Sequence, residues 1–218
     1  MSALNVGQGR CQGTARLLVR PVRAAIELGA SKDVVQAVCG AVHHCNRHGS
    51  MDDFLALAFP MMASVRGFMQ AGHEIEILGS DASLASLLAT EGMARLVRRG
   101  MVEPLEVDQP IVGEGDMGVA YVRDQRADKG GPGWLRRRAA RSARNGRPLG
   151  VPAMKKEVPD LSRLLPLAYG EKSLMVGQVC GVVTGGALLV STYGFSARTR
   201  PAFLPVLPAV SEDVHDAA

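Results

Sequence analysis

The chain has 218 residues and a net charge of +4 at pH 7, so it can bury a core in one large domain or two small ones. It contains no apolar run that would span a bilayer and no recognisable signal peptide, so we expect a cytoplasmic protein without a membrane partner. The four cysteines form no CxxC pair, which argues against a zinc site and fits free thiols. We therefore expect no metal and no cofactor.

The first half of the chain alternates short strands with helices. Ser31 is the predicted N-cap of the first helix, and Asp81 or Ser83 that of the second. The 73–78 segment alternates polar and apolar residues, which predicts a half-exposed strand. In chain order we expect strand 14–20, helix 32–47, strand 54–59, strand 73–78, helix 81–99 and strand 101–107. This β-α-β-β-α-β order predicts an α+β fold with a ferredoxin-like (RRM-like) domain over residues 1–112.

The second half, residues 113–218, is Gly-rich and charged and is predicted to form a separate C-terminal domain. Its candidate strands are 164–168, 174–180 and 188–192, which would make a small β-sheet. Residues 134–146 are predicted to form a helix, because glycines precede them and Gly146 with Pro148 follows. Cys39, Cys45 and Cys180 are expected to lie in or near the core.

The predicted helix is rich in arginine and has no acidic residue. The segment 134–147 reads WLRRRAARSARNGR, and residues 120–160 carry eleven Lys or Arg against four acids. Arginine side chains match phosphate oxygens and base edges bidentately, and their mutual repulsion favours a polyanion as partner. We therefore expect nucleic-acid contact rather than a solvated face. The candidate residues are Arg136, Arg137, Arg138, Arg141 and Arg144.

Three histidines lie close together at positions 43, 44 and 48. An unperturbed imidazole titrates at about pH 6.5, which suits proton transfer near neutral pH. His43 and His44 point roughly 100° apart on a helix, so at most one of them faces a given site. From the residues alone, a partly buried helix histidine that is hydrogen-bonded to its surroundings is the favoured description of His43. A Cys39–His43 nucleophile pair is also possible at this spacing.

Several segments, taken in order, resemble the CRISPR repeat-processing endoribonucleases of the RAMP superfamily, in particular their subtype I-F branch. In the first helix, His43 follows Gly40 at the spacing of the family's histidine. The Arg-x-Gln element is RDQ at 123–125, and it precedes LRRR at 135–138. The remaining matches are VVQAVCGAVHH (34–44), FPMM (59–62), HEIEILGS (73–80), LASLLATEGMARLVRRG (84–100) and TYGFS (192–196).

The resemblance implies binding of the repeat stem-loop and metal-independent cleavage of precursor RNA at the base of the hairpin. The ribose 2′-hydroxyl attacks the adjacent phosphate, and the enzyme stays bound to the mature crRNA beside other effector-complex subunits. His43 is the implied catalytic residue, Tyr193 orients it, and Ser173 is the nearest candidate for the family's active-site serine. Arg123 and Gln125 are implied to read bases, as these residue types can.

The sequence leaves other interpretations open. The type IV repeat-processing proteins share this layout, and some members lack the histidine. In such a branch, arginines near the first strand (Arg16, Arg20 or Arg23) could stabilise the phosphate transition state. The chain could also be a non-catalytic RNA-hairpin-binding subunit of a type IV-like ribonucleoprotein. A basic ribosome-associated or DNA-binding protein would share only the composition.

Overall fold

The computed structural model of the chain describes residues 7–109, 115–124, 132–146, 160–169 and 172–205. Within these ranges the chain forms a mixed α+β fold. The helices are α1 (Arg23–Glu27), α2 (Ser31–His48), α3 (Asp81–Leu88), α4 (Glu91–Arg98) and α5 (Pro132–Arg144). The strands are β1 (Gln8–Cys11), β2 (Ala15–Val19), β3 (Ala56–Ala58), β4 (Ala63–Val65), β5 (Phe68–Gln70), β6 (Ile75–Gly79), β7 (Val107–Asp108), β8 (Met117–Arg123), β9 (Leu165–Tyr169), β10 (Lys172–Val182), β11 (Leu188–Ser191), β12 (Ser196–Ala197) and β13 (Leu204–Pro205).

The first sheet has four strands in the order β3-β6-β2-β7, and every neighbouring pair is antiparallel. Helices α2 and α3 pack against it. The predicted strands 14–20, 54–59 and 73–78 are confirmed as β2, β3 and β6 with shorter bounds. The predicted strand 101–107 is wrong over most of its length, because only its last residue enters β7. Pro104 lies in this stretch and has no backbone N–H for a sheet ladder.

The helix boundaries correct two predictions. Ser31 is the first residue of α2 rather than its cap, and no side chain caps this helix. The predicted helix 81–99 is two helices, because Thr90 interrupts it and accepts from the Met93 amide at the start of α4. Neither Asp81 nor Ser83 is the N-cap of α3. Ser80 takes that role in a capping box with Ser83, so short hydroxyl side chains set both helix starts.

Strand β6 is buried along its whole length, so the predicted half-exposed strand is wrong. Even Glu76 is only 2% exposed. The polar face of β6 is covered by the second sheet, whose Tyr121 and Gln178 line the same cavity as Glu76. An alternating pattern shows that one face of a strand carries polar side chains, but it does not show whether that face is exposed. Here the second sheet covers it.

The second sheet has the path β12-β8-β10-β9, with β13 also paired to β8. The predicted strands 164–168, 174–180 and 188–192 are confirmed as β9, β10 and β11. Strand β8, which no pattern predicted, pairs with β10 so that Arg123 lies opposite Val176. Strand β11 does not join this sheet. It pairs antiparallel with β1, near the start of the chain. The two halves of the sequence are therefore joined by main-chain hydrogen bonds.

One hydrophobic core contains residues from both halves. Phe59 contacts Tyr121 edge-on at 5.8 Å between ring centroids and lies 6.1 Å from Phe195. Such aromatic pairs contribute about 1 kcal/mol each beyond their buried area. Cys39 is buried and Cys45 half-buried, as predicted, but Cys180 is exposed on β10. In the described part of the chain, no helix is long and apolar enough to cross a membrane.

The burial of Glu76 predicts that the stability of the fold depends on pH. Burial raises the pKa of Glu76 from its ordinary 4.5 to about 7, and the Arg16 charge opposes this only in part. Because the pKa of Glu76 is higher in the folded state, the protonated side chain stabilises the fold below pH 4.5. This contribution to the free energy of unfolding is lost as the pH rises through 7. Glu76→Gln should therefore unfold at a higher temperature than the wild type above pH 7, and the gap should narrow towards pH 4.5. Thermal melts across this range check it.

The exposed Glu27→Gln removes the same charge and should show no such pH trend. A Glu76→Gln effect that is constant with pH would contradict the argument.

Candidate active site

The rings of His43, Tyr193 and Tyr169 form one cluster. The His43 and Tyr193 rings stack with centroids 4.2 Å apart and an angle of 4° between their planes. Tyr169 meets both rings edge-on, 5.8 Å from His43 and 5.0 Å from Tyr193. The guanidinium carbon of Arg123 lies 5.2 Å from the centre of the Tyr193 ring. Three predicted site residues from distant parts of the sequence thus meet, together with one tyrosine that was not predicted.

The turn between β11 and β12 delivers Tyr193 to this cluster. Gly194 has a φ of 79°, a conformation that L side chains rarely adopt. A Cβ atom on Gly194 would also lie 3.2 Å from atoms of Leu57 and Val42. The Leu57 amide donates to the Gly194 carbonyl at 3.0 Å, which fastens the turn to the outer edge of β3. The glycine in the TYGFS segment is therefore required by backbone geometry and by close packing.

The stacked imidazole is held in one tautomer. His43 Nδ1 lies 3.1 Å from the carbonyl oxygen of Thr192. A carbonyl oxygen can only accept a hydrogen bond, so Nδ1 carries the proton and Nε2 keeps its lone pair. Burial lowers the pKa of His43 below 6.5, and the nearby Arg47, His48 and His44 act in the same direction. The Thr192 carbonyl opposes this shift. Near neutral pH the ring is therefore neutral, with Nε2 as a proton acceptor.

Tyr169 forms a hydrogen bond with the turn of α2 that carries His43. Its hydroxyl donates to the carbonyl oxygen of Cys39 at 3.0 Å. In an α-helix that carbonyl also accepts from the amide four residues later, which here belongs to His43. Burial raises the pKa of Tyr169, so its phenol stays protonated and keeps donating. No periodicity or motif marks this residue, because its role depends on β9 lying beside α2.

The structure does not support Cys39 as a nucleophile. The thiol is almost fully buried, and burial raises the pKa of Cys39 to about 12. A thiolate is the reactive form, and it is scarce at neutral pH with such a pKa. Cys39 is a core residue one helix turn before His43.

Ser173 lies on β10, where it pairs with Ala168 and is exposed. It lines a cavity of about 680 Å³ that also includes Cys39. The described contacts of His43 do not include Ser173. Gln125 lies outside the described residues. The serine assignment and the Gln125 assignment therefore stay predictions.

Helix α5 confirms the predicted arginine-rich helix, with bounds two residues earlier. Its exposed arginines are Arg136, Arg137, Arg141 and Arg144, and Arg138 is half-buried. Arg137, Arg141 and Arg144 follow one another at helical spacing on one side. The helix presents a row of positive charge, and its segment contains no acid.

The arginines near the first strand are engaged elsewhere. Arg16 is held by Asp108 through two contacts, and Arg20 donates to Glu74 at 2.7 Å. Arg23 donates to Glu27 at 2.8 Å on the exposed helix α1. Each of these guanidiniums therefore already faces a carboxylate.

The stacking geometry predicts how Tyr193 controls the histidine. In Tyr193→Ala the imidazole gains water, so the pKa of His43 should rise towards 6.5. Tyr193→Phe keeps the stacked ring, and its His43 pKa should stay near the wild-type value. NMR titration of the His43 ring carbons measures both. A wild-type value above 6.5, or the same value in the two variants, would contradict the geometry.

Comparison with protein-family models finds no matching family, and a search of curated proteins finds no relative.

Proposed function

We propose that the chain is a metal-independent endoribonuclease that binds the stem-loop of CRISPR repeat RNA and cleaves the precursor at the base of the hairpin. It would then stay bound to the mature crRNA in an effector complex with other CRISPR subunits. The observation that carries the proposal is the neutral His43, oriented by the Thr192 carbonyl and stacked on Tyr193, with Arg123 beside the same ring.

The reaction needs a base, a fixed geometry and a positive charge near the phosphate. His43 Nε2 would take the proton of the ribose 2′-hydroxyl as its oxygen attacks the adjacent phosphorus. The bond to the 5′-oxygen breaks, that oxygen receives a proton, and a cyclic phosphate remains. The guanidinium of Arg123 supplies positive charge at the same cluster, where it can stabilise the pentavalent phosphate.

We propose a ferredoxin-like arrangement for the N-terminal part. Numbered within that unit, β2, β3, β6 and β7 are its first to fourth strands, and their spatial order 4-1-3-2 supports this interpretation. The connections also agree, with α2 after the first strand and α3–α4 after the third. The resemblance to the repeat-processing family rests on this order together with the His43, RDQ, LRRR and TYGFS segments.

Helix α5 is the proposed RNA-hairpin contact. Regular A-form RNA has a deep, narrow major groove that side chains rarely enter. An arginine helix can reach the bases where a short stem ends and the groove opens. A small stem-loop is therefore the proposed substrate rather than a long duplex.

Replacing the histidine should separate chemistry from binding. His43→Ala should bind the repeat hairpin almost normally and cleave it at least about a hundredfold more slowly, the usual size of a general acid–base contribution. His44→Ala is the matched control, because His44 is exposed on the next helix position and should cleave at the wild-type rate. Single-turnover cleavage in the presence of EDTA, with binding measured in parallel, checks both.

The pH dependence has a defined sign. Only neutral His43 can accept a proton, so the wild-type rate should fall as the pH drops through a value below 6.5. Normal cleavage by His43→Ala would show that the base is elsewhere. Hairpin binding without any wild-type cleavage would favour the non-catalytic RNA-binding subunit.

Removing three helix arginines should weaken binding through charge. Arg137, Arg138 and Arg141 changed together to Ala should lower hairpin affinity, and the slope of log K against log salt should fall by roughly 0.7–0.9 for each lost phosphate contact. The control removes three exposed arginines of α4 and its end: Arg95, Arg98 and Arg99. Equal losses in the two triple variants would mean that net charge, not α5, governs binding.

A further inference from the structure

A second cavity of about 380 Å³ lies on the other face of the first sheet. Arg16 and Leu18 of β2 line it together with Arg20, which follows the strand, and they alternate with the buried Leu17 and Val19, whose side chains face the core. The opposite wall comes from the second sheet. The volume is within the usual range for small-molecule sites. None of the residues of the His43 cluster lines this cavity.

The cavity contains a buried carboxylate with an unsatisfied oxygen. Glu76 is 2% exposed, and its Oε1 atom accepts no hydrogen bond from the residues that the structure describes. The nearest cation is Arg16, whose Nη1 lies 3.8 Å from that oxygen, beyond hydrogen-bond distance. Arg16 is instead held by Asp108. A buried acceptor without a donor costs free energy, and a bound ligand could supply the donor that the described residues do not provide.

The charged side chains around the cavity indicate the charge of the ligand that would supply this donor. Among the described lining residues there are two arginines against four carboxylates, which are Glu74, Glu76, Glu106 and Asp108. Arg20 is paired with Glu74 at 2.7 Å, and Arg16 with Asp108, so negative charge is in excess. A phosphate-bearing ligand would be repelled. A cation would be attracted and would supply the missing donor.

The remaining lining is largely apolar and suits an aliphatic stem. It includes Leu18, Ala58, Met61, Leu204 and Pro205. A cationic head against the carboxylate and a hydrocarbon chain against these side chains would satisfy both kinds of wall.

We infer that this cavity binds an aliphatic organic cation, an alkylguanidinium or alkylammonium, whose charged end donates to Oε1 of Glu76. The inference is independent of the proposed nuclease activity. It assigns the acidic face of the first sheet to a small cationic ligand, whereas the basic helix α5 is assigned to RNA.

Agmatine, which carries both head groups on a four-carbon chain, is the probe for calorimetry and NMR on the full chain. Saturable binding is expected, with a dissociation constant on the order of 1 mM for so small a ligand. Glu76→Gln keeps the shape of the side chain and should weaken binding at least about tenfold. Glu27→Gln removes the same charge outside the cavity and should bind like the wild type. Neutral 1-butanol should not compete.

The affinity should also rise with pH. The groups that face Glu76 are Arg16 on β2, Glu74 beside β6, Asp108 on β7 and Tyr121 on β8. Burial raises the pKa of Glu76 to about 7, and a bound cation favours its ionised form. Agmatine should therefore bind more tightly at pH 8 than at pH 6 and release protons on binding.

A capped arginine, N-acetylarginine methylamide, distinguishes the source of the cation. Binding as tight as that of agmatine would indicate an arginine side chain of a protein partner, and weaker binding would indicate a free amine. No saturable agmatine binding to the folded wild type would overturn the inference. Unchanged affinity in a Glu76→Gln protein whose melting curve shows that it is folded would overturn it as well.

Discussion

The candidate site depends on one main-chain hydrogen bond, from the Leu57 amide to the Gly194 carbonyl. It joins the edge of the first sheet to a turn from the far end of the sequence. That turn carries the Thr192 carbonyl and the Tyr193 ring, the two groups that fix the His43 imidazole. The left-handed backbone at Gly194 disfavours any L side chain, and a Cβ atom there would crowd Leu57 and Val42 at 3.2 Å. The geometry of the histidine therefore depends on a glycine that lies in the turn next to Tyr193.

Positively and negatively charged side chains are concentrated in different parts of the molecule. Helix α5 carries exposed arginines without an acid in its segment, whereas the cavity around Glu76 has more carboxylates than arginines. Arg16, Arg20 and Arg23 each face an acid, so their charge is largely neutralised locally. A polyanion would be drawn to α5 and repelled by the acidic cavity, although the net charge of the chain is only +4. The distribution of charge, rather than its sum, therefore makes α5 the most suitable surface for an anionic partner.

Three features of the structure could not be predicted from hydrophobic periodicity and motifs, each for a physical reason. Tyr169 acts through a carbonyl of α2, and nothing near it in sequence signals that contact. The alternation in β6 suggested exposure at Glu76, but a second sheet covers that face. The hydroxyl of Thr90 splits a continuous apolar pattern into two helices. Each miss arises where a distant element or a side-chain cap overrides the local periodicity.

The sequence by itself determined the order of the main strands and helices and the arginine-rich helix, whereas His43, Tyr193 and Arg123 became candidates through the resemblance to the repeat-processing family. Hydrophobic periodicity, helix breakers and residue chemistry act locally, so one sequence suffices to read them. Only the tertiary structure decided that these three side chains meet, which tautomer His43 adopts, and that Glu76 is buried without a hydrogen bond to Oε1. These properties arise from contacts between residues 70 or more positions apart, or between opposing sheets, and local sequence patterns carry no record of such contacts.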